Sequence, residues 1–221
     1  MRRLVIVLCV LFGGIASAAA QVSVGFGVAV PGLSIGINVP AYPRFAAVPG
    51  YPVYYAPQVG LNLFFYDGMY WVFQNDNWYA STWYNGPWGL INPWGVPAYL
   101  LQVPVRYYRA PPPYFRGWGA YAAPRWGEHW GPQWEQSHPD WNRFNRAMRP
   151  APAPLPSYQR QYSGNRYPHA EQQAPLHSQN YRYQPREPVV QQHYQQPSMH
   201  GGQPQPQSRQ QPGSHEHEHR Q

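Results

Sequence analysis

The sequence predicts a mainly β protein. It should form a small antiparallel meander of aromatic hairpins, crossed by an irregular Trp-rich wrap with one short helix and trailed by a long disordered tail. Three observations lead there. Aromatic and β-branched residues crowd the stretch from Tyr51 to Trp83, punctuated by Asp-Gly and Asn-rich turns. Every Trp lies between Trp71 and Trp141. From Pro150 onward the composition shifts to Gln, Pro, His, Ser, Arg and Tyr without apolar periodicity.

The chain opens MRRLVIVLCVLFGGIASAAAQ. Arg2 and Arg3, an apolar run and Ala18-Ala19-Ala20 form the three parts of a secretory signal over residues 1–20, with cleavage expected between Ala20 and Gln21. That apolar run is shorter than the roughly 20 residues a spanning helix needs, so no membrane-spanning segment is expected after cleavage. Cys9 leaves with the signal, and no other cysteine exists. Disulfides and thiol nucleophiles are thereby excluded from the mature chain.

Residues 21–45 read as a Gly-alternating hairpin, VSVGFGVAV-PG-LSIGINV, with Phe26 opposite Ile37 and Val24 opposite Val39. Branched residues would occupy one face and small ones the other, as the two-residue period of a strand requires. Residues 46–110 form the aromatic meander. Strands are expected at residues 51–55 and 61–66, and Asp67-Gly68 is a primed-turn signal that pairs Tyr66 with Met69, Phe65 with Tyr70 and Phe64 with Trp71. Asn75-Asp76-Asn77 and Asn85-Gly86 offer two further turns, and Pro87 marks an edge or a break. A last strand is expected over residues 100–108, broken by Pro104. Residues 111–149 make the wrap, in which Gly127, Gly131 and Pro132 interrupt the helical spacing of Trp126, Trp130 and Trp134. A short helix is expected at residues 139–148, and residues 150–221 make the disordered tail.

The motifs FFYDGMYW, WYASTWYNGPW and PRWGEHWGPQWE resemble the small exported, aromatic-rich proteins of Gram-negative bacteria grouped with the Trp-Gly-Trp (YxWGxW-like) repeat proteins. The resemblance covers roughly residues 22–170. It implies export and an envelope setting, and it brings no catalytic residues with it.

The aromatics admit two uses. Tyr70, Trp71, Trp78, Trp83, Trp88, Trp126, Trp130 and Trp134 could stack as a platform for sugar rings, or they could be the core of a sheet that has no disulfide. Core use is the favoured expectation. Phe64, Tyr66, Met69, Trp71 and Phe73 fall on one face of the central hairpin; Leu63, Phe65, Tyr70 and Val72 fall on the other. One face must therefore meet something else unless the first hairpin and the Trp126–Trp134 stretch cover it.

All 16 basic residues are arginine, and losing the signal lowers the formal net charge from +7 to +5. That bias is spread thinly, unlike the dense basic stripe of a nucleic-acid binder. An envelope polysaccharide or an envelope protein is the expected partner, through aromatic and Arg surface. The alternative is metal binding by His215, His217 and His219 of the tail's HEHEH run. Enzyme signals are scarce. Lysine is absent, Asp67 and Asp76 look like turn formers, and Glu128, His129, Glu135 and His138 make the only acid–imidazole cluster of the body. No catalysis and no cofactor are expected.

Overall fold

A computed structural model describes residues 36–143 and 148–195. Its centre is a six-stranded antiparallel sheet in sequential order: β1 (Ala46–Ala47), β2 (Val53–Tyr55), β3 (Asn62–Tyr66), β4 (Met69–Gln74), β5 (Asn77–Ser81) and β6 (Gly89–Ile91). The meander is as expected, and so is its register. Tyr66 pairs with Met69, Phe65 with Tyr70 and Phe64 with Trp71. The turn that sets this register uses Asp67 (φ 48°) and Gly68 (φ 88°), both in the left-handed region that a type I′ hairpin demands. Asn75 and Asp76 do the same between β4 and β5, where Gln74 opposes Asn77. After Pro87 the chain re-enters the sheet only as β6, its edge strand.

β3 is buried along its whole length and β4 along all but its last residue. Alternation still sorts the side chains. Phe64, Tyr66, Met69, Trp71, Phe73, Trp78 and Ile91 belong to one apolar cluster, on the first face. Leu63, Phe65, Tyr70 and Val72 belong to another, on the second face. A sheet with two apolar faces needs two covers.

The first face is covered by residues 96–141, in which α1 (Ala98–Leu101), α2 (Trp126–Trp130) and α3 (Pro132–Ser137) are joined by tight turns. Two expectations are corrected here. Residues 100–108 are not a strand: Pro97 opens α1 and Pro104 opens a 3-10 turn at Val105–Tyr107. The adjacent Leu100 and Leu101 are both fully buried, which a half-buried strand would not allow. The helix expected at residues 139–148 does not form over its described beginning. Residues 139–143 form turns, and 144–147 lie outside the described residues. Gly131 and Pro132 do not abolish the Trp helix; Gly131 (φ 87°) ends α2 and Pro132 takes the first turn of α3.

The second face is covered from both ends of the chain. Val39 is buried against it, with its N–H on Asn85 Oδ1 at 2.6 Å, and Tyr42 and Phe45 pack beside it. Residues 21–35 of the expected Gly-alternating hairpin lie outside the described residues, and Gly36–Val39 form no strand. The rest of the cover comes from residues assigned above to a disordered tail. Residues 150–195 instead form two 3-10 turns (Ser157–Gln161, Gly164–Arg166), α4 (Ala170–Asn180) and α5 (Pro188–Gln195). Ala153, Gln159, Gln173, His177, Tyr181 and Val190 are buried. What holds this segment is hydrogen bonding to the sheet's aromatic residues, so apolar periodicity is a poor guide to it. Residues 196–221 lie outside the description. No described helix is long and apolar enough to cross a membrane.

The segment passes from the second face to the first by crossing the Asp67–Gly68 turn. Asp67 accepts the Tyr183 hydroxyl at 2.6 Å, the Arg186 N–H at 2.9 Å and the Glu187 N–H at 2.9 Å. The Tyr183 ring lies so close to Gly68 that a Cβ there would sit 3.1 Å from its Cδ1. Beyond the crossing, Val190 enters the first cluster. Asp67→Asn keeps a residue that tolerates the left-handed turn and removes the charge that holds three donors. It should cost about 2 kcal/mol of stability, read as a lowered urea midpoint with an unchanged slope.

Candidate functional site

The aromatic platform is not on the surface. Trp71, Trp78, Trp83, Trp126, Trp134 and Tyr70 are among the largest fully buried side chains, and Trp88 is buried as well. Trp130 is partly buried, stacked on Trp126 at 4.5 Å. Four of the indoles also use their N–H internally, Trp71 by donating to Tyr66 O at 3.3 Å. Trp83 donates to Gln173 O, Trp126 to Leu101 O and Trp134 to Pro93 O. The structure thus brings these residues together as packing, because both sheet faces are roofed. Only Trp94, 54 % exposed beside the edge strand, offers most of its ring to solvent. His215, His217 and His219 lie outside the described residues, as do Ala20 and Gln21. Among the described residues no group of three or more His, Cys, Asp or Glu side chains could hold a metal ion.

The acid–imidazole cluster separates. Glu128 reaches Arg125 at 3.5 Å, Glu135 packs over Gly127, and His138 bonds to Ser137. His129 instead meets Asp76 of the β4–β5 turn at 2.7 Å, and the Tyr114 hydroxyl donates to the same Asp76 oxygen at 2.6 Å. The Tyr114 and His129 rings stack at 4.2 Å. Burial and the bond to Asp76 push the Tyr114 phenol up, so it stays a donor. Asp76 and Tyr114 of this trio line a groove of about 470 Å³ together with Leu61, Phe73 and Pro111–Pro113. The trio's carboxylate, imidazole and phenol are already engaged with one another.

What remains outside is arginine. Every described arginine is exposed. The segments roofing the second face carry Arg44, Arg160, Arg166, Arg182 and Arg186 against one exposed carboxylate, Glu171. Asp67 is buried, and the half-buried Glu187 accepts from the Tyr66 hydroxyl at 2.6 Å, so neither neutralises that surface. Tyrosines back it: Arg160 lies over the Tyr42 ring and Arg186 over Tyr183. Within the same cover, an open cleft of about 590 Å³ is bordered by Tyr162, Asn165, Arg166, His169 and Gln172.

The floor of that cleft is held in place. Tyr167 donates to Gly86 O at 2.6 Å, accepts the Asn85 N–H at 3.1 Å, and meets the rings of Trp83 and Tyr84 edge-on. Gln173, on the inner side of α4, donates to Gly86 O and receives Trp83. α4 starts where the Gln172 side chain accepts the His169 N–H at 3.2 Å. This hydrogen-bonded base presents the exposed side chains of Arg166, His169 and Gln172, an arrangement suited to binding acidic or hydroxyl-rich groups.

No family model, curated protein or solved structure matches the chain.

Sequence reasoning missed the buried polar residues of the tail. Gln159 is fully buried and accepts from Tyr70 while donating to Thr82 O. His177 lies between the Tyr158 and Tyr194 hydroxyls at 2.7 and 2.8 Å. The sequence signal was present in the tyrosines interleaved with Gln and His, whose hydroxyls need partners once buried.

With Trp94 the most exposed indole, Trp94→Phe should remove most of the acrylamide-quenchable emission and shift the remaining spectrum to the blue. An unchanged quenchable fraction would mean that other indoles are open to solvent.

Proposed function

We propose that the protein is a non-catalytic, exported envelope protein that binds an anionic envelope glycan across the arginine-bearing cover of its second sheet face. The export signal and the resemblance to exported aromatic-rich proteins supply the setting. One observation supports the surface: the roof of the second face holds five exposed arginines against a single exposed carboxylate. Guanidinium groups bind carboxylate, sulfate or phosphate substituents in forked, charge-assisted pairs. Tyrosine rings beneath them add apolar area for sugar faces. The cleft beside Arg166 gives one such substituent, or one sugar ring, a place to lodge.

The aromatic residues serve this function indirectly. Their packing stiffens the sheet, and the sheet fixes Tyr42, Tyr162 and Tyr167 under the charged surface. The partner is held by the shell rather than by the Trp-rich interior.

Binding of this kind weakens with salt, because surface charges beyond about 10 Å are screened at 0.1 M ionic strength. An acidic polysaccharide should bind at low salt and dissociate as salt rises, while its neutral counterpart should not bind at all. The triple variant Arg160→Gln, Arg166→Gln, Arg182→Gln should weaken that binding roughly 3- to 150-fold, at about 0.2–1 kcal/mol per exposed contact. Its urea midpoint should be unchanged, since all three side chains are exposed. Equal affinity for neutral and acidic polymers, or an unaffected triple variant, would defeat the proposal.

A further inference from the structure

The part of the tail that crosses from one face to the other carries two histidines in closed surroundings. His177, on α4, is 6 % exposed. Its Nδ1 meets the Tyr158 hydroxyl at 2.7 Å and its Nε2 meets the Tyr194 hydroxyl at 2.8 Å, with the Tyr181 ring alongside. Tyr158 already accepts from the Gln159 amide at 3.1 Å. A neutral imidazole suits this chain, taking the Tyr158 proton at Nδ1 and giving its own to Tyr194. An imidazolium would donate at both nitrogens and leave the Tyr158 proton with nowhere to go. His193, on α5, bonds through Nε2 to Gly95 O at 3.1 Å and lies edge-on to the buried Trp71 ring. Among the described residues, neither imidazole is bonded to a carboxylate that would offset its charge.

We propose that residues 170–195 form an acid-releasable strap, closed over both faces of the sheet while His177 and His193 are neutral and loosened as the two imidazoles take up protons. The strap bridges the faces through α4 on the second, the Asp67 crossing, and Val190 on the first. Release would uncover Trp83, whose N–H Gln173 now accepts, and Trp71, against which His193 lies.

Burial lowers the His177 pKa from 6.5 to about 4. Burial also lowers that of His193, against an upward pull from its bond to Gly95. The released segment therefore binds protons more tightly than the closed one. Closure is fully favoured above pH 6.5 and loses ground as pH falls toward 4. His177 alone raises the opening equilibrium roughly 30-fold at pH 5 relative to neutral pH. Glu187 acts in the other direction. Burial, and then the nearby Asp67, raise its pKa, while the Tyr66 bond lowers it. Acid thus favours the closed form at Glu187, and Glu187→Gln should enlarge the release.

Hydrogen exchange of the whole protein at pH 7.5 and pH 5.0, corrected for intrinsic rates, reads the opening directly. Peptides within residues 170–195 should open roughly 30-fold more at pH 5.0, while those of β3 and β4 hold. In the double variant His177→Gln, His193→Gln, whose amides can still donate and accept, that difference should fall to a few-fold. An NMR titration of the wild-type imidazoles stands independently of whether the variant folds, and should place His177 below pH 5. Titration of His177 near 6.5, or an undiminished acid response in a folded double variant, would overturn the strap.

Discussion

One carboxylate at the tip of the central hairpin ties the two halves of this molecule together. Asp67 sits in a tight turn because Asp-Gly suits the left-handed conformation that turn requires. That turn fixes where its oxygens lie. Tyr183, Arg186 and Glu187 bring a hydroxyl and two backbone N–H groups to it. Glu187 in turn accepts from Tyr66, the residue preceding Asp67. The same two-residue turn that sets the register of β3 and β4 thus also marks where the chain crosses from one face of the sheet to the other.

The need for that crossing comes from the sheet. Strands with large apolar residues at successive positions cannot leave either face in water without exposing several aromatic rings, each of about 150–250 Å². The two covers answer it in different chemical styles. The first face meets Leu100, Leu101, Val103, Phe115 and three Trp rings, an ordinary apolar roof. The second meets tyrosines, glutamines and a histidine, so its roof is tied by hydroxyl and amide bonds such as Tyr70 to Gln159 and Tyr181 to Pro154 O. A polar roof leaves its outer side free for arginine, which is where the proposed binding surface lies.

The legibility of the sequence followed the same division. Turn chemistry is local, so Asp67-Gly68 predicts the register of β3 and β4 correctly, and Asn75-Asp76-Asn77 marks the turn between β4 and β5. Packing against a remote partner is not local. Leu100-Leu101 reads as the start of a strand, whereas the first face takes both side chains from a helix that Pro97 opens. Gly131 and Pro132, which read locally as breaks in a helix, are the end of one helix and the start of the next. The greatest departure was residues 150–195. Composition reads them as disordered because they carry few aliphatic side chains to bury, and the structure corrects that reading. Composition could not register that the sheet already offered rings, carbonyls and a carboxylate for Tyr, Gln and His to bind. For the site, composition found the arginine excess. Its placement against the buried Trp residues required the three-dimensional arrangement.

The central claim is that residues 150–195 are part of the fold, and a chain ending at Arg149 tests it most directly. All ten Trp residues remain in that chain. The account predicts that it loses cooperative urea unfolding and that its Trp emission moves to the red, since Trp83 and the second face lose their roof. A truncated chain with blue emission and the full-length unfolding midpoint would contradict the account. It would show a sheet that stands without its strap.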